Sequence, residues 1–364
     1  MELFQEFGAR GHEQVTFCHK PEFGLKAIIA IHDTTLGPAL GGCRMWQYDS
    51  EQEAIIDVLR LSRGMTYKAA VTGLELGGGK SVIIGDPQKD KSKEMWRAFG
   101  RFVEGLGGRY ITAEDVGTSV HDMEIVRAET RHVTGISRML GGSGDPSPVT
   151  ARGVYVGIKA AAKFHQGRES LQGLKVAIQG LGHVGMHLAD LLHHDGAELV
   201  VCDIHQEHVE EAVRRFSARP VGVDEIYSQN VDVFSPCALG AVVNDQTIDV
   251  LKCAIVAGAA NNQLAIEKVH GPMLAERGIL YAPDYVINAG GLINVFHEMK
   301  GYDEEAALDQ ADGIYDSLLS IFHVSKERDI PPHEASNHVA EERMQKARER
   351  RRDRLQNIYL HGAN

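Results

Sequence analysis

The chain has 364 residues, is 43% hydrophobic and 24% charged, and carries a formal net charge of −12. That length suits two domains with separate cores, the composition is that of an ordinary soluble globular protein, and the acidic balance argues against nucleic acid as the main partner. No apolar run reaches membrane-spanning length, the start reads as no signal peptide, and five scattered cysteines without a C-x-x-C pair fit a reducing cytoplasm and no structural metal.

In chain order, β-branched runs predict strands at 15–19 and 25–31. Apolar residues at Ala54, Ile55, Val58, Leu59 and Leu61 predict a helix over 51–63. The stretch LELGGGKSVIIGDP (74–87) then ends a glycine run in Lys80-Ser81, as a phosphate-binding loop does. Two tests reject that loop. G-x-x-x-x-G-K-[ST] requires glycine at position 74, which is Leu74, and the motif must open a helix, whereas Val82-Ile83-Ile84 reads as a strand over 81–84. Lys80 is therefore expected between a flexible glycine turn and a buried strand, where lost hydration favours a neutral amine. A helix over 94–106 and a strand opening at 110–111 follow. Residues 141–148 read as a linker, and Thr150 as the N-cap of a helix from 151 to about 165.

A regular alternation comes next: strands at 174–179, 198–203, 231–234 and 254–256, with helices at 183–194 and 206–218 and after the later strands. It predicts an α/β fold with a doubly wound parallel sheet. The expected division is 1–149 for an N-terminal α/β substrate and oligomerisation domain and 150–330 for a Rossmann-type domain. A charged helical segment, 331–364, packs back on the first. Seven basic residues between Arg343 and Arg354, interleaved with acids, read as a solvated helix face.

GLGHVG (180–185) follows the strand KVAIQ, opens a helix, and precedes Asp203 at the end of the next strand. The glycines permit a tight turn, close approach of a pyrophosphate and close helix packing, and the helix N-terminus attracts the phosphates. Asp203 would accept hydrogen bonds from the adenosine ribose and repel a 2′-phosphate, so NAD is favoured over NADP. The loops SPCALG (235–240) and GAANN (258–262) also follow strands of this sheet. The cofactor candidates are Gly180, Leu181, Gly182, His183, Val184, Gly185, Asp203, Thr150, Cys237, Ala238, Asn261, Asn262 and Asn288. Asn261 and Asn262 equally suit a turn, and Cys237 is either a thiol of the aldehyde-dehydrogenase kind or a small buried residue. His183 and His187 have zinc-helix spacing without an acidic partner, so no metal is expected.

The reacting end falls to the first domain, whose candidates are Lys68, Lys80 and Asp115, charged groups set among apolar residues and glycines. Two amines and a carboxylate suit a substrate with both carboxylate and amino groups. One lysine can fix the carboxylate, and the other, beside a like charge, can act as base.

The runs GPALGGCRMW (37–46), MTYKAA (65–70), LELGGGKSVIIGDP (74–87), TAEDVGT (112–118), PSPVTA (146–151) and YVINAGGLINV (285–295) resemble the family of dehydrogenases acting on Glu, Leu, Phe and Val. The resemblance implies NAD-dependent oxidative deamination to a 2-oxo acid and ammonia. In it Lys80 is the general base, Lys68 holds the substrate carboxylate and Asp115 assists proton transfer at nitrogen. It further implies a homo-oligomer, typically an octamer, though a dimer would serve. TAEDVGT and PSPVTA are most like the leucine-acting members. Cys43 and AANNQL (259–264) are as much like the phenylalanine- and tryptophan-acting ones. The side-chain pocket is expected from Leu40, Ala113, Leu292 and Val295, beside Gly41 in a Gly41-Gly42 turn. Each of the four also suits an ordinary core position. A branched aliphatic substrate is expected to lead, with phenylalanine or tryptophan as the alternative. An NAD enzyme for hydroxy or folate substrates and a non-catalytic NAD-binding module remain as rival readings.

Overall fold

The computed structural model describes residues 3–361, with side chains described over 4–353. The chain forms two compact units. One comprises the residues up to Gly144, Val295–Tyr302 and the chain from Ala340 onward; the other comprises Asp145–Asn294 and Asp303–Val339. The break thus falls at Gly144/Asp145 within the glycine-rich stretch, and both ends of the later helical region are shared out.

The first unit opens with α1 (Leu3–Arg10), β1 (Gln14–Lys20), β2 (Leu25–Asp33), β3 (Ala39–Trp46) and α2 (Glu51–Val71). It continues with β4 (Gly77–Ile84), α3 (Lys93–Glu104), β5 (Tyr110–Glu114) and α4 (Val120–Arg127). Its sheet has the order β1-β2-β4-β3-β5, antiparallel from β1 through β4 and parallel from β4 through β5. Both faces are covered, so β2 reads as a continuous apolar run rather than an alternation. Ile29, Ile31, Met45 and Ile83 pack with Trp96 and Phe99 of α3 on one face, and Ile28, Ala30 and Val82 pack with Ala54, Val58 and Leu59 of α2 on the other.

Two sequence expectations fail here. Gly77-Gly78-Gly79 is not a turn but the first half of β4, a central strand. A Cβ on Gly77 would sit 2.1 Å from Asp33 O, one on Gly78 2.1 Å from Thr66 N in α2, and one on Gly79 2.7 Å from the Tyr110 ring. The glycines are there because backbone and helix approach too closely for side chains. Likewise Gly41 and Gly42 belong to β3, not to a turn; a Cβ on Gly41 would meet Gly79 O at 1.7 Å. Helix α2, capped where Ser50 Oγ accepts from Glu53 N at 3.2 Å, runs past 63 to Val71. Gly64 does not stop it, and the buried Thr66, Tyr67, Ala69 and Ala70 carry its packing on.

In the second unit α5 (Ser147–Gln166), β6 (Lys175–Gln179), α6 (His183–His194), β7 (Glu198–Cys202), α7 (Gln206–Phe216) and β8 (Arg219–Pro220) wind one way. Then β9 (Val233–Pro236), β10 (Ile255–Val256), α8 (Glu267–Glu276) and β11 (Leu280–Tyr281) wind the other. The all-parallel order β11-β10-β9-β6-β7-β8 makes the sheet doubly wound, with its switch point between β6 and β9. Helices α9 (Asp284–Ile287), α10 (Gly290–Glu298), α11 (Glu304–Asp312), α12 (Ile314–Arg328) and α13 (Pro332–His361) complete the chain. Thr150 is not an N-cap. The helix begins at Ser147, because Pro148 in the first turn lacks an N–H that has no partner there anyway, and the Thr150 hydroxyl donates to Pro146 O at 3.0 Å.

The basic run on α13 is not wholly solvated. Arg343 donates to Ala70 O, in the last turn of α2, at 2.7 Å and to Leu74 O, just beyond that helix, at 3.1 Å, and Arg348 pairs with Asp33. On the same turn of α2, Tyr67 donates to Glu341 at 2.9 Å.

Glycines that look alike in sequence therefore differ in consequence. Gly78→Ala is expected to destabilise by at least about 3 kcal/mol, since backbone rather than a flexible side chain must yield. Gly64→Ala, with nothing within 4 Å of the added methyl on an exposed helix position, is expected to stabilise by about 0.5–1 kcal/mol. Denaturant unfolding of both variants checks the pair, and equal signs would refute the packing argument.

Candidate functional site

Register places the candidate groups of the first unit on one face of its sheet. Leu40 pairs with Gly78 and Ile111, Gly42 with Ala113, and Arg44 with Val82. Paired residues on neighbouring strands project the same way and alternate residues share a face. Leu40, Gly42, Lys80, Ala113 and Arg44 thus lie on the α2 side. Lys68 sits in the last turn of that helix, partly buried.

Lys80, with 8% of its side chain exposed, places Nζ 2.6 Å from Asp115 Oδ2. Its close neighbour is thus a carboxylate. Asp115 follows β5 directly. Its N–H donates to Thr118 Oγ1 at 2.8 Å, and that hydroxyl lies 3.0 Å from Cys43 O, which ties the turn to β3. Gly42 makes the approach possible, since a Cβ there would lie 2.8 Å from Asp115 Cβ. Burial pushes the Asp115 carboxyl up, but the Lys80 ammonium and then the Arg44 guanidinium outweigh it and hold the group below its ordinary value of 3.8. Arg44 Nε donates to the same Oδ2 at 3.3 Å. Sequence reasoning gave Arg44 no role; the available signal was a charge two residues beyond Gly42 in an otherwise apolar strand.

Of the pocket candidates, Leu40 and Ala113 are buried on the Lys80 face. On α10, Leu292 is buried and Val295 partly so. Gly41 offers backbone only, and its carbonyl already accepts from Tyr110 OH at 2.6 Å.

In the second unit the cofactor candidates gather at the carboxyl ends of the strands. Gly180 has φ +98°, and a Cβ on it would meet Ala238 Cβ at 2.6 Å; one on Gly185 would meet Gly180 O at 2.0 Å. Around a Cβ on Gly182 nothing lies within 4 Å, and α6 begins there, at His183-Val184, with no side-chain cap. The N–H groups of that helix start, beside open space, fit a pyrophosphate. Asp203 Oδ2 accepts from Leu181 N at 2.5 Å and Oδ1 from His205 N at 2.8 Å, so the carboxylate also shapes the glycine loop. Cys237 N–H donates to Gln179 O at 2.7 Å, and burial pushes its thiol up, away from a nucleophilic thiolate. Asn288 Nδ2 donates to Asn261 Oδ1 at 2.6 Å and to Ala259 O at 3.1 Å, joining two candidates. Asn262 takes φ +52°, the turn conformation its residue type suits. Thr150 packs against Gly290, where a Cβ would meet its N at 2.5 Å. His183 does find an acid, Asp145 Oδ2 at 3.2 Å from Nδ1, but no cluster of metal-binding groups forms among the described residues.

Residues 12–132 match the family description Glu/Leu/Phe/Val dehydrogenase, dimerisation domain, and residues 141–209 and 201–352 match Glutamate/Leucine/Phenylalanine/Valine dehydrogenase. The chain is 57% identical to leucine dehydrogenase of Thermoactinomyces intermedius, over 98% of this chain and 97% of that one. It is 48% identical to phenylalanine dehydrogenase of the same organism, over 96% of each. The crystal structure of L-tryptophan dehydrogenase from Nostoc punctiforme superposes with a TM-score of 0.90 at 50% identity, covering 95% of this chain and 99% of that one.

The Lys80–Asp115 pair has a pH signature. A carboxyl depressed in the folded state contributes stability that is present above its unfolded value and lost as pH falls through the folded one. Urea unfolding of Asp115→Asn is therefore expected to show a weaker loss of stability than the parent on acidification below 3.8, with the two curves parallel at neutral pH. Identical acid limbs would show that the pair is not formed.

Proposed function

Because the chain belongs to the Glu/Leu/Phe/Val dehydrogenase family, we propose that Lys80 and Asp115 are the acid–base pair with which it deaminates an apolar L-amino acid. The enzyme is an NAD-dependent amino-acid dehydrogenase acting on the CH–NH2 group, and it produces the 2-oxo acid and ammonia. The observation that carries the assignment is a lysine on a central strand, almost fully buried, 2.6 Å from a carboxylate.

When bound, NAD accepts the hydride from the substrate Cα. The chain's own groups do the rest. The helix start at Gly182-His183, the glycine loop and Asp203 hold the dinucleotide. The Asp203 carboxylate disfavours a 2′-phosphate. Lys68 fixes the substrate carboxylate as a point charge. Lys80, as the amine, takes a proton from the water that adds to the iminium carbon, and Asp115 carries a proton to the nitrogen. The carbinolamine then gives its hydroxyl proton to the Lys80 amine, freed by that relay, as the C–N bond breaks to leave the oxo acid and ammonia. Asp115 serves that relay because it touches Lys80 directly, and Gly42 leaves it room.

Leu40, Ala113, Leu292 and Val295 offer no charge to a substrate side chain. A second carboxylate would be buried unpaired, so glutamate is rejected. An apolar pocket discriminates one methylene by only about 1–3 kcal/mol, so leucine, isoleucine and valine all react, with branched aliphatic substrates leading. Identity to the leucine-acting relative above that to the phenylalanine-acting one supports this order. The enzyme is a homo-oligomer, and we take the octamer as its form. No helix among the described residues is long and apolar enough to cross a membrane, and we place the enzyme in the cytoplasm.

Lys80→Ala is expected to lose turnover, followed at 340 nm, by at least about 10²-fold while NAD affinity by fluorescence titration stays near the parent value. Turnover within about tenfold of the parent would sink the base assignment. For specificity, kcat/KM is compared for leucine, valine, phenylalanine, tryptophan and glutamate. Leucine and valine should lead. Glutamate as the best substrate would overturn the pocket, and an aromatic winner would transfer the specificity without touching the chemistry.

A further inference from the structure

Behind the Lys80–Asp115 pair runs a line of charges that the reaction does not use. Arg44 Nε reaches Asp115 Oδ2 at 3.3 Å, the oxygen that Lys80 Nζ already holds at 2.6 Å. The other side of the same guanidinium, Nη1, lies 3.0 Å from Asp57 Oδ2. Asp57 is in turn held by Tyr48 OH at 2.8 Å and by Arg60 Nη2 at 3.0 Å on its second oxygen. Arg44, Asp57 and Asp115 are each less than a quarter exposed, so the contacts are only partly screened by water.

From this geometry we infer that Arg44, clamped by Asp57, is a positioning residue that divides the Asp115 carboxylate between two cations and stands as the like charge beside Lys80. The inference rests on the reading of Lys80 as the base. Two cations on one carboxylate oxygen repel, and each lessens the hold that the shared anion has on the other. A guanidinium does not release its proton, so Arg44 keeps its charge beside the Lys80 amine throughout. Arginine suits both contacts at once, since a planar fork serves two anions from two edges, whereas the ammonium of a lysine keeps the charge but serves one point.

The clamp is itself kept charged. Burial pushes the Asp57 carboxyl up, and hydrogen bonds from Arg60 and Tyr48 with the Arg44 charge bring it below its ordinary value. The Tyr48 phenol, pushed up by burial and by Asp57, stays a donor. The other elements packed against Lys80 carry groups of their own. β2 places Ala30 opposite it, β3 carries the Cys43 thiol, which burial pushes up, and α2 carries Asp57 and, in its last turn, Lys68.

The test is the acid limb of kcat/KM against pH in the full-length enzyme with leucine and NAD. In Arg44→Met the Lys80 ammonium has Asp115 to itself, so the limb moves to higher pH by roughly one unit, a tenfold loss at fixed pH on that limb. In Asp57→Asn the Arg44 charge is no longer neutralised from behind, so the limb moves to lower pH. Arg44→Lys, which keeps the charge, stays closer to the parent than Arg44→Met does. NAD affinity is unchanged in all three. Opposite displacements in R44M and D57N support the inference, because a merely structural defect lowers rate without giving the two variants opposite signs. If R44M does not fold, the downward shift in D57N with a smaller shift in R44K carries the same sign test. A limb that stays put in the variants that fold, or moves the same way in R44M and D57N, overturns it. Turnover retained by Lys80→Ala sinks this inference together with the base assignment; a dead Lys80→Ala enzyme with an unmoved limb sinks this inference alone.

Discussion

A lysine in the middle strand of a covered sheet must find an anion or forfeit its charge, and the first unit is arranged around that requirement. Taking both members of an ion pair out of water costs several kcal/mol each, and the pair recovers it only where geometry is close and further hydrogen bonds complete it. Asp115 meets Lys80 at 2.6 Å because the chain after β5 stays attached to β3 through Met45 N to Val116 O at 3.0 Å. Gly117 adopts φ +79° there, where a side chain would run into Met45 O at 2.0 Å. Glycines at 42, 78 and 79 remove side chains wherever α2, Tyr110 or Asp115 comes closest. The glycine-rich composition of this region is thus a record of close approaches rather than of looseness.

The second unit meets a different constraint with the same economy of side chains. Its sheet is parallel, so each strand ends at one edge and every following loop adds a group there. The loops hold one another: Gly180 N–H donates to Cys202 O at 2.9 Å, Ala241 N–H to Asn262 O at 2.6 Å, and the buried Gln263 Nε2 to Gly258 O at 2.7 Å. Asp203 contributes to this order, since its carboxylate accepts from the backbone of the glycine loop.

Legibility in the sequence follows how local each cause is. Helix α6 occupies the expected 183–194 because period, glycine loop and following strand all lie within thirty residues. Lys80 and Asp115 are conspicuous as charges among apolar neighbours. Gly77–Gly79 misleads because glycine carries no strand preference and its cause, the packing of Thr66, Asp33 and Tyr110, comes from three other elements. Arg44 sits in a quoted motif yet gains its meaning from Asp57 and Asp115, 13 and 71 positions away. The end of α2 is further still, since the side chain that satisfies Ala70 O comes from 273 positions along the chain.

That last distance bears on synthesis. The turn of α2 that carries Lys68 is finished by Arg343 and Glu341, so the first unit cannot close its own helix end until a residue 273 positions beyond Ala70 has been made. The second unit likewise needs its last segment, Asp303–Val339, so neither unit is complete until the chain has passed that point. Contacts of such long sequence separation form slowly, because loop closure precedes their reward. During translation both units therefore wait on late segments of the chain, and the first unit, whose sheet is made first, is the one that must be kept from aggregating for longer.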